Sequence, residues 1–516
     1  MDNLNEILSK EIEVFREQGH KFLNKELNVG QFKKLSGGMG CYAHRGGQEF
    51  MIRLRVPSGV AGLNLLEEAY NWAIKYNLDK VHLTTREAIQ LHGISIDAVC
   101  DIMQEGLTKG IYTRGGGGNF PRNVALNPLS GVEIGEVFDV TPYALATNNH
   151  YMKKIYTYKL PRKIKTAFSN SESDAAHCTI TDLGFLAVEK DGERFFKVYI
   201  GGGAGRNARK SVELDELIPV KDALYCVDAM INLFIAEGDY NNPGKARIRY
   251  IAERMGDEEF KNCFRKHLEE VKAKGGLDLE VEEVIYNKKG LVTDLKHNRL
   301  IPQKQEGLYS VLFHPIGGQL ELDLLKELID AIKNIEEVEV RLGMDENLYI
   351  RNLNGKEAEE ILKLTQGKGG ETLTERSVSC IGVPVCQMGV LESQYTLEEI
   401  VKALKENKVE EGLLPRIRIS GCPNSCGMHQ IGEIGFAGKK KKVDDKLENV
   451  FELHFGGKVG IHNINIGEYY GDILQREVPN FLIKVANAVK FDNSIFDKWI
   501  EENNEKFKAI FEEYKK

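Results

Sequence analysis

Apolar and polar positions along the chain change period several times, and each change marks an element. Leu4, Ile7, Leu8, Ile12 and Phe15 recur at helical spacing among charges, which predicts a surface helix and then a loop over residues 1–30. Near residue 48 the period becomes two. Phe50, Ile52, Leu54 and Val56 alternate with Met51, Arg53 and Arg55, so this strand should carry one apolar face and arginines on the other. An amphipathic helix over 62–76, strands from Val81 and from Gln90, and a helix over 96–109 follow. The order strand–helix–strand–strand–helix describes a small α/β sandwich. Beyond it the pattern predicts a helix near 136–148, strands at 160–168, 184–188 and 195–200, and helices at 220–236, 245–256 and 257–272.

The pattern then starts again. Residues 307–318 read like 50–59, a strand and then Pro and Gly, followed by a helix at 322–334 and a strand at 338–342. Leu414-Pro-Arg repeats Leu160-Pro-Arg, Glu433-Ile-Gly-Phe repeats Asp182-Leu-Gly-Phe, and His454-Phe-Gly-Gly repeats Tyr199-Ile-Gly-Gly. The offsets are 254, 251 and 255 residues. A near-constant offset of this size is too long for a solenoid and predicts two pseudo-symmetric halves facing one another.

Composition narrows the class. A chain of 516 residues is too long for one core and should divide into several domains. Hydrophobic content of 42% and charged content of 28% fit a soluble globular protein. A net charge of −8 argues against a general nucleic-acid binder. No apolar run approaches the ~20 residues of a membrane span, and the acidic N-terminus lacks the layout of a signal peptide. The expectation is a cytoplasmic protein. The run Gly115–Gly118 lacks the glycine spacing of a dinucleotide fingerprint and reads as a flexible or closely packed loop.

The strongest chemical signal is in the second half. Cys380 and Cys386 enclose five residues, Cys422 and Cys426 enclose three, and the pairs stand thirty-five residues apart. Structural zinc, a pair of disulfides and an iron–sulfur cubane are the three readings. Zinc knuckles use shorter gaps. Nine cysteines, an odd number, are sparse for a disulfide framework. Four thiolates are the usual ligands of a cubane.

Together with their flanks, above all Gly-Cys-Pro-Asn-Ser-Cys, these motifs resemble the siroheme and 4Fe-4S binding motifs of sulfite and nitrite reductases. The resemblance implies an α+β fold with a pseudo-two-fold duplication. It has two ferredoxin-like α/β units and two larger siroheme-binding α/β domains, at about 1–110, 111–300, 301–370 and 371–516. The resemblance covers about residues 35–490 and leaves a polar helical tail outside. It implies that Cys380, Cys386, Cys422 and Cys426 hold the cluster and that Cys426 also bridges to the siroheme iron. The first half has no such cysteines but offers cations, which suits a site shared between halves, since siroheme is a polycarboxylate and the substrates are anions.

By resemblance, Arg53 and Arg122 are substrate arginines, and Lys163 and Lys165 are the two lysines of the pocket. Arg86 meets a siroheme carboxylate, Gln90 and His92 line the same cofactor, and Arg247 and Arg249 are further contacts. Arg55 shares the strand face of Arg53, and Gly456 and Gly457 would let backbone approach the macrocycle. In this family Arg-Lys-x-Lys, here Arg162–Lys165, resembles sulfite reductases, whereas Asn at the last place resembles nitrite reductases. The expected reaction is therefore six-electron reduction of sulfite to sulfide, with reduction of nitrite to ammonia by the same site as the alternative. A zinc-binding module is the non-enzyme alternative. No flavin or nicotinamide fingerprint is present, so a separate donor, ferredoxin by resemblance, must dock. Lys439–Lys442 is either its docking patch or a solvated hairpin.

Overall fold

The structure is a computed structural model that describes residues 2–516; Met1, at the start of the acidic N-terminus, lies outside them. The described residues form four five-stranded sheets, and sequence order supplies strands in blocks of five. The first block is β1 (Cys41–Ala43), β2 (Phe50–Arg55), β3 (Val60–Ala61), β4 (Lys80–Leu83) and β5 (Ala88–Ile94). The second is β6 (Ala125–Leu126), β7 (Thr166–Ser169), β8 (Leu183–Lys190), β9 (Glu193–Ile200) and β10 (Val212–Pro219). The third is β11 (Leu300–Pro302), β12 (Leu308–Phe313), β13 (Gln319–Glu321), β14 (Glu339–Leu342) and β15 (Leu348–Asn354). The fourth is β16 (Val378–Ser379), β17 (Ile417–Ser420), β18 (Ile434–Val443), β19 (Lys446–Phe455) and β20 (Glu468–Leu474).

The two small sheets run β1-β2-β5-β4-β13 and β11-β12-β15-β14-β3, so each has given one short strand to the other. Gln319 pairs with His82 on one side of this exchange and Ala61 with Val340 on the other. Each donated strand covers backbone groups that an open edge would leave unpaired. A single apolar core runs through both units and joins Leu66, Trp72 and Leu91 to Leu325, Val340 and Ile350. The two halves are thereby locked face to face.

The large sheets repeat one plan. β6, β7 and β8 are parallel and β9 and β10 antiparallel; β16, β17 and β18 are parallel and β19 and β20 antiparallel. Thr166 pairs with Leu183 as Ile417 pairs with Ile434. Gly184 and Gly435 are forced by the same crowding. A Cβ at Gly184 would lie 2.4 Å from the Cys178 carbonyl, and one at Gly435 would lie 1.9 Å from that of His429.

Four expectations shift. Helix α1 (Asp2–Leu23) is followed by a second helix, α2 (Val29–Met39), where a loop was expected; Asn28 and Gln31 close a capping box at its start. α3 (Leu63–Lys75) and α4 (Ile96–Thr108) lie where the pattern puts them. The helix expected at 136–148 is α5 (Thr141–Lys153), because Asp139 accepts from the Thr141 N–H at its start. The strand expected at 160–168 shrinks to β7, with Leu160–Lys165 an extended lead-in that makes one bridge, Ile164 to Pro121. The expected polar tail holds a helix, Phe496–Glu512, that buries Phe496, Trp499, Phe507, Ile510 and Phe511 in the core of the fourth sheet. Each such aromatic contributes ~1.5–3 kcal/mol of burial, so this segment is part of the domain.

Candidate functional site

Parallel pairing of β16 and β17 brings the two cysteine pairs together. Cys380 directly follows β16, and Cys422 lies just past the end of β17. The carboxyl ends of parallel strands are where such sheets place ligands. The Gly421 N–H donates to Cys380 Sγ at 3.2 Å, and Ser393 Oγ lies 3.4 Å from the same sulfur. Burial raises the thiols of Cys380, Cys386 and Cys422, and the charge of Cys426 adds to the rise in all three, so the four sulfurs share one neighbourhood. All nine cysteines are free thiols. Among the described residues no three His, Cys, Asp or Glu side chains stand close enough to hold one metal ion. Four thiols that share a field without closing on one point suit a polynuclear cluster better than zinc.

The first half docks directly on these loops. Thr85 Oγ1 donates to the Cys426 carbonyl at 2.9 Å, the Arg45 N–H donates to the Val385 carbonyl at 3.1 Å, and Arg45 Nη2 to that of Gly389 at 2.6 Å. Behind the contact stand the predicted cations. Arg53 projects from β2 and donates to the Gly116 carbonyl at 2.6 Å. Arg122 folds back on the glycine run and donates to the carbonyls of Gly117 at 2.6 Å and Gly118 at 2.8 Å. The run is therefore closely packed. A Cβ at Gly117 would lie 2.3 Å from the Gly37 carbonyl of α2. Its carbonyls steer two arginines without neutralising them.

Lys163 and Lys165 lie on the extended lead-in to β7. Neither side-chain amine has a hydrogen-bond or ion-pair partner among the described residues. Burial, then Arg247 and Arg122, pushes Lys163 down to about 7, while the charge of Cys426 pulls the other way. Burial and Arg86 hold Lys165 far below the usual lysine range. Burial lowers Arg122 to about 9 and Arg55 to about 10. Arg55 is anchored on the Pro121 carbonyl at 3.0 Å and on Asn148 of α5 at 3.2 Å.

The expected cofactor contacts form the next layer. Arg86 donates to the Asn123 carbonyl at 2.7 Å and lies 3.7 Å from the Met344 sulfur of the other half. Arg247 pairs with Asp182 at 2.8 Å, and Arg249 reaches the Ala204 carbonyl at 3.3 Å. Gln90 and His92 stand on β5 beside Arg53. Gly457 is packed so that a Cβ would lie 2.4 Å from the Gln430 carbonyl, whereas Gly456 faces open space except for Asn465. Close backbone packing accounts for Gly457 by itself.

Do these residues fit siroheme? Arg55, Arg86, Arg247 and Arg249 each leave a buried Nε without a partner. Eight buried or half-buried cations gather here, Arg53, Arg55, Arg86, Arg122, Lys163, Lys165, Arg247 and Arg249, and among the described residues the one carboxylate paired with any of them is Asp182, on Arg247. Unpaired buried charges cost several kcal/mol each, and a polycarboxylate offsets that cost. The residues fit the group, and the cysteines fit the cluster.

Several participants escaped the sequence. Asp182, which accepts from both Arg247 and the Lys165 N–H, opens the motif Asp182-Leu-Gly-Phe that Glu433-Ile-Gly-Phe repeats, the one signal that could have flagged it. Glu87 and Glu346 occupy the same place in two matching turns, both at positive φ, and accept from the N–H groups of Leu126 and Ser379. Burial raises both to about 8. Of the Lys439–Lys442 run, Lys439 pairs with Glu452 and Asp472, Lys441 with Asp472, and Lys442 with Asp445. These lysines are committed to their own hairpin and its neighbour.

Comparison with known proteins agrees with this architecture. Residues 117–272 and 373–512 match the nitrite and sulphite reductase 4Fe-4S domain, which includes all of the C-terminal helix placed outside the resemblance above. Residues 42–107 and 301–367 match the nitrite/sulfite reductase ferredoxin-like half domain. The chloroplastic ferredoxin–nitrite reductase of Arabidopsis thaliana is 27% identical over 86% of this chain and 77% of that protein. The ferredoxin–nitrite reductase of Synechococcus elongatus is 26% identical over 81% of this chain and 82% of its own. The assimilatory ferredoxin-dependent nitrite reductase of Haloferax mediterranei is 23% identical over 97% of this chain and 90% of its own. The solved NirA protein of Mycobacterium tuberculosis has the same fold, with a TM-score of 0.79 at 21% identity, covering 97% of this chain and 96% of that one. Among the described residues no helix is long and apolar enough to cross a membrane. The chain belongs to the nitrite and sulphite reductase family, and siroheme and a 4Fe-4S cluster are the cofactors of this oxidoreductase.

Proposed function

We propose that the chain reduces nitrite to ammonia with six electrons taken one at a time from ferredoxin. The observation that carries an anion reductase is the group Arg53, Arg122, Lys163 and Lys165, of which Arg53 and Lys163 feel the charge of Cys426, with two lysine amines left unpaired. The relatives named above favour nitrite and ferredoxin over the sulfite that Lys165 suggests. A second cation at Lys165 remains the specific feature in favour of sulfite, as a second reaction of the same site.

Siroheme supplies the iron that takes the substrate, and the cluster supplies electrons. Cys380, Cys386, Cys422 and Cys426 would hold the cluster, with Cys426, whose charge acts on Arg53 and Lys163, the cysteine on the side of the anion site. Arg86, Arg247 and Arg249 would hold the carboxylates. Arg53 and Arg122, held by glycine carbonyls, present fixed donors to the anion and stabilise charge on oxygens as they leave. Lys163, at about 7, can both carry and release a proton near neutrality, which suits a general acid in a reaction that consumes protons at each electron pair. Steady-state rates with reduced ferredoxin test this reading. A kcat/KM for nitrite above that for sulfite is expected; the reverse order rejects nitrite as the preferred substrate.

A further inference from the structure

Arg53 has a second support that leads away from the site. Its neighbour across the β2–β5 ladder is Gln90. With the Gln90 side-chain N–H2 turned to His82 Nδ1 at 2.9 Å and to His92 Nε2 at 3.2 Å, its oxygen accepts from Arg53 Nε at 2.9 Å and Nη2 at 2.5 Å. Turned the other way, the same amide sets N–H groups against N–H groups of Arg53. On the arm through His92 and His44 every proton then has a partner, whereas the His82 proton sits on Nε2, which is buried without one. His92 accepts at Nε2, so its Nδ1–H donates to His44 Nε2 at 3.2 Å, and His44 Nδ1 lies 3.4 Å from Glu49 at the surface. Burial lowers His82 to about 4 and holds His92 well below the usual imidazole range, so both rings are neutral and can accept. The duplicated half has nothing like it: Val311 stands where Arg53 does, fully buried and apolar.

We propose that Gln90, its amide locked by His82 and His92 with His44 behind them, is the positioning residue that aims the Arg53 guanidinium at the anion. This role rests on the anion site described above. It is separate from any contact of Gln90 or His92 with siroheme. An arginine held at one nitrogen only, by Gly116, can pivot; one held through Nε and Nη2 as well cannot. The site thus fixes the direction of its donors before the anion arrives, which removes an ordering cost from binding.

A double-mutant cycle on the holoenzyme tests the role, with siroheme and iron content measured for each variant. Binding of nitrite, and separately of sulfite, is followed by the change in visible absorption, so the result stands whichever anion is the better substrate. Gln90→Leu should weaken anion binding about tenfold at full siroheme content. In an Arg53→Lys background, where no Nε–H is left to donate to the amide oxygen, Gln90→Leu should add less than about twofold. His82→Phe, one bond further out, should follow the same rule with about a threefold loss and serves if Gln90→Leu loses siroheme. Unchanged anion affinity in a fully loaded Gln90→Leu protein overturns the proposal. So does multiplication of the Arg53→Lys effect with that of Gln90→Leu or His82→Phe.

Discussion

The two halves place the same backbone in the same turns and fill it with opposite chemistry. Past the ends of β16 and β17 the second half has cysteines. Past the ends of β6 and β7 the first half has Asn127 and Asn170, bonded to each other at 2.5 Å. Asp174 completes that corner by accepting from Ser169 and from the N–H groups of Cys178 and Thr179. In the turn before β5 the relation reverses. The first half has Arg86 next to Lys165, and among the described residues neither side chain is paired with a carboxylate. The second has Asp345 bridging Arg416 and Arg418. Burial alone would raise Asp345, but the two arginines overcome it and hold its carboxyl well below the usual range. One half satisfies its cations internally and the other leaves them for a ligand. The same scaffold therefore becomes a finished structural corner on one side and an incomplete, ligand-seeking one on the other.

The sharpest way to break this comparison is at the cysteines. Cys380→Ala should lose bound iron and lower turnover by more than about a thousandfold, whereas Asn127→Ala should leave iron content unchanged; iron analysis and rates check both. Next come the lysines. Lys163→Met and Lys165→Met should each lower kcat/KM about a hundredfold with the melting temperature held or raised, since each removes an uncompensated charge. Arg416→Met should instead destabilise by about 1–3 kcal/mol in denaturant melts, because it strips a partner from buried Asp345.

The pH dependence should be moderate. Lys163 falls to about 7 before an anion is present, and an anion favours its charged form. Below pH 7 the proton is already there; above it, binding must take one up, so nitrite affinity should fall by at most about tenfold per pH unit. Lys163→Arg, charged throughout, should flatten the slope of KM against pH. The smallest effect should be shared by both halves. Glu87 and Glu346 have folded values raised to about 8, so the folded state holds protons that the unfolded state has lost. Stability should decline as pH rises from about 4.5 to 8. Glu87→Gln and Glu346→Gln should each remove part of that decline while differing from the parent by less than about 1 kcal/mol at pH 5. A slope removed in one half only would show that the turns are not equivalent.

Much of this was legible in residue order. The alternation of β2 announces an apolar face and an arginine face, and both are used. The repeated Gly-Phe, Leu183-Gly-Phe in β8 and Ile434-Gly-Phe in β18, marks both strands, because a glycine is required where the strand passes a carbonyl. The repeated Leu-Pro-Arg misled by three residues: the strands match at Thr166 and Ile417, so Lys163 and Lys165 precede β7 instead of lying in it. The exchanged strands β3 and β13 are only two and three residues long, too short to carry a period. The Gln90–Arg53 contact depends on an amide orientation set by two histidines on different strands, which no spacing encodes.

The sequence alone determined the inventory: two matched halves, four thiols at one end, and a surplus of cations in the first half. Local periodicity and fixed offsets are properties of residue order, so residue order is enough to read them. Only the tertiary structure decided which charges stay unpaired. Whether Arg86 meets a carboxylate or Arg416 keeps one depends on residues far apart in the chain, Asp345 and Arg416 standing 71 residues from one another. Burial then turns that difference in partners into a site.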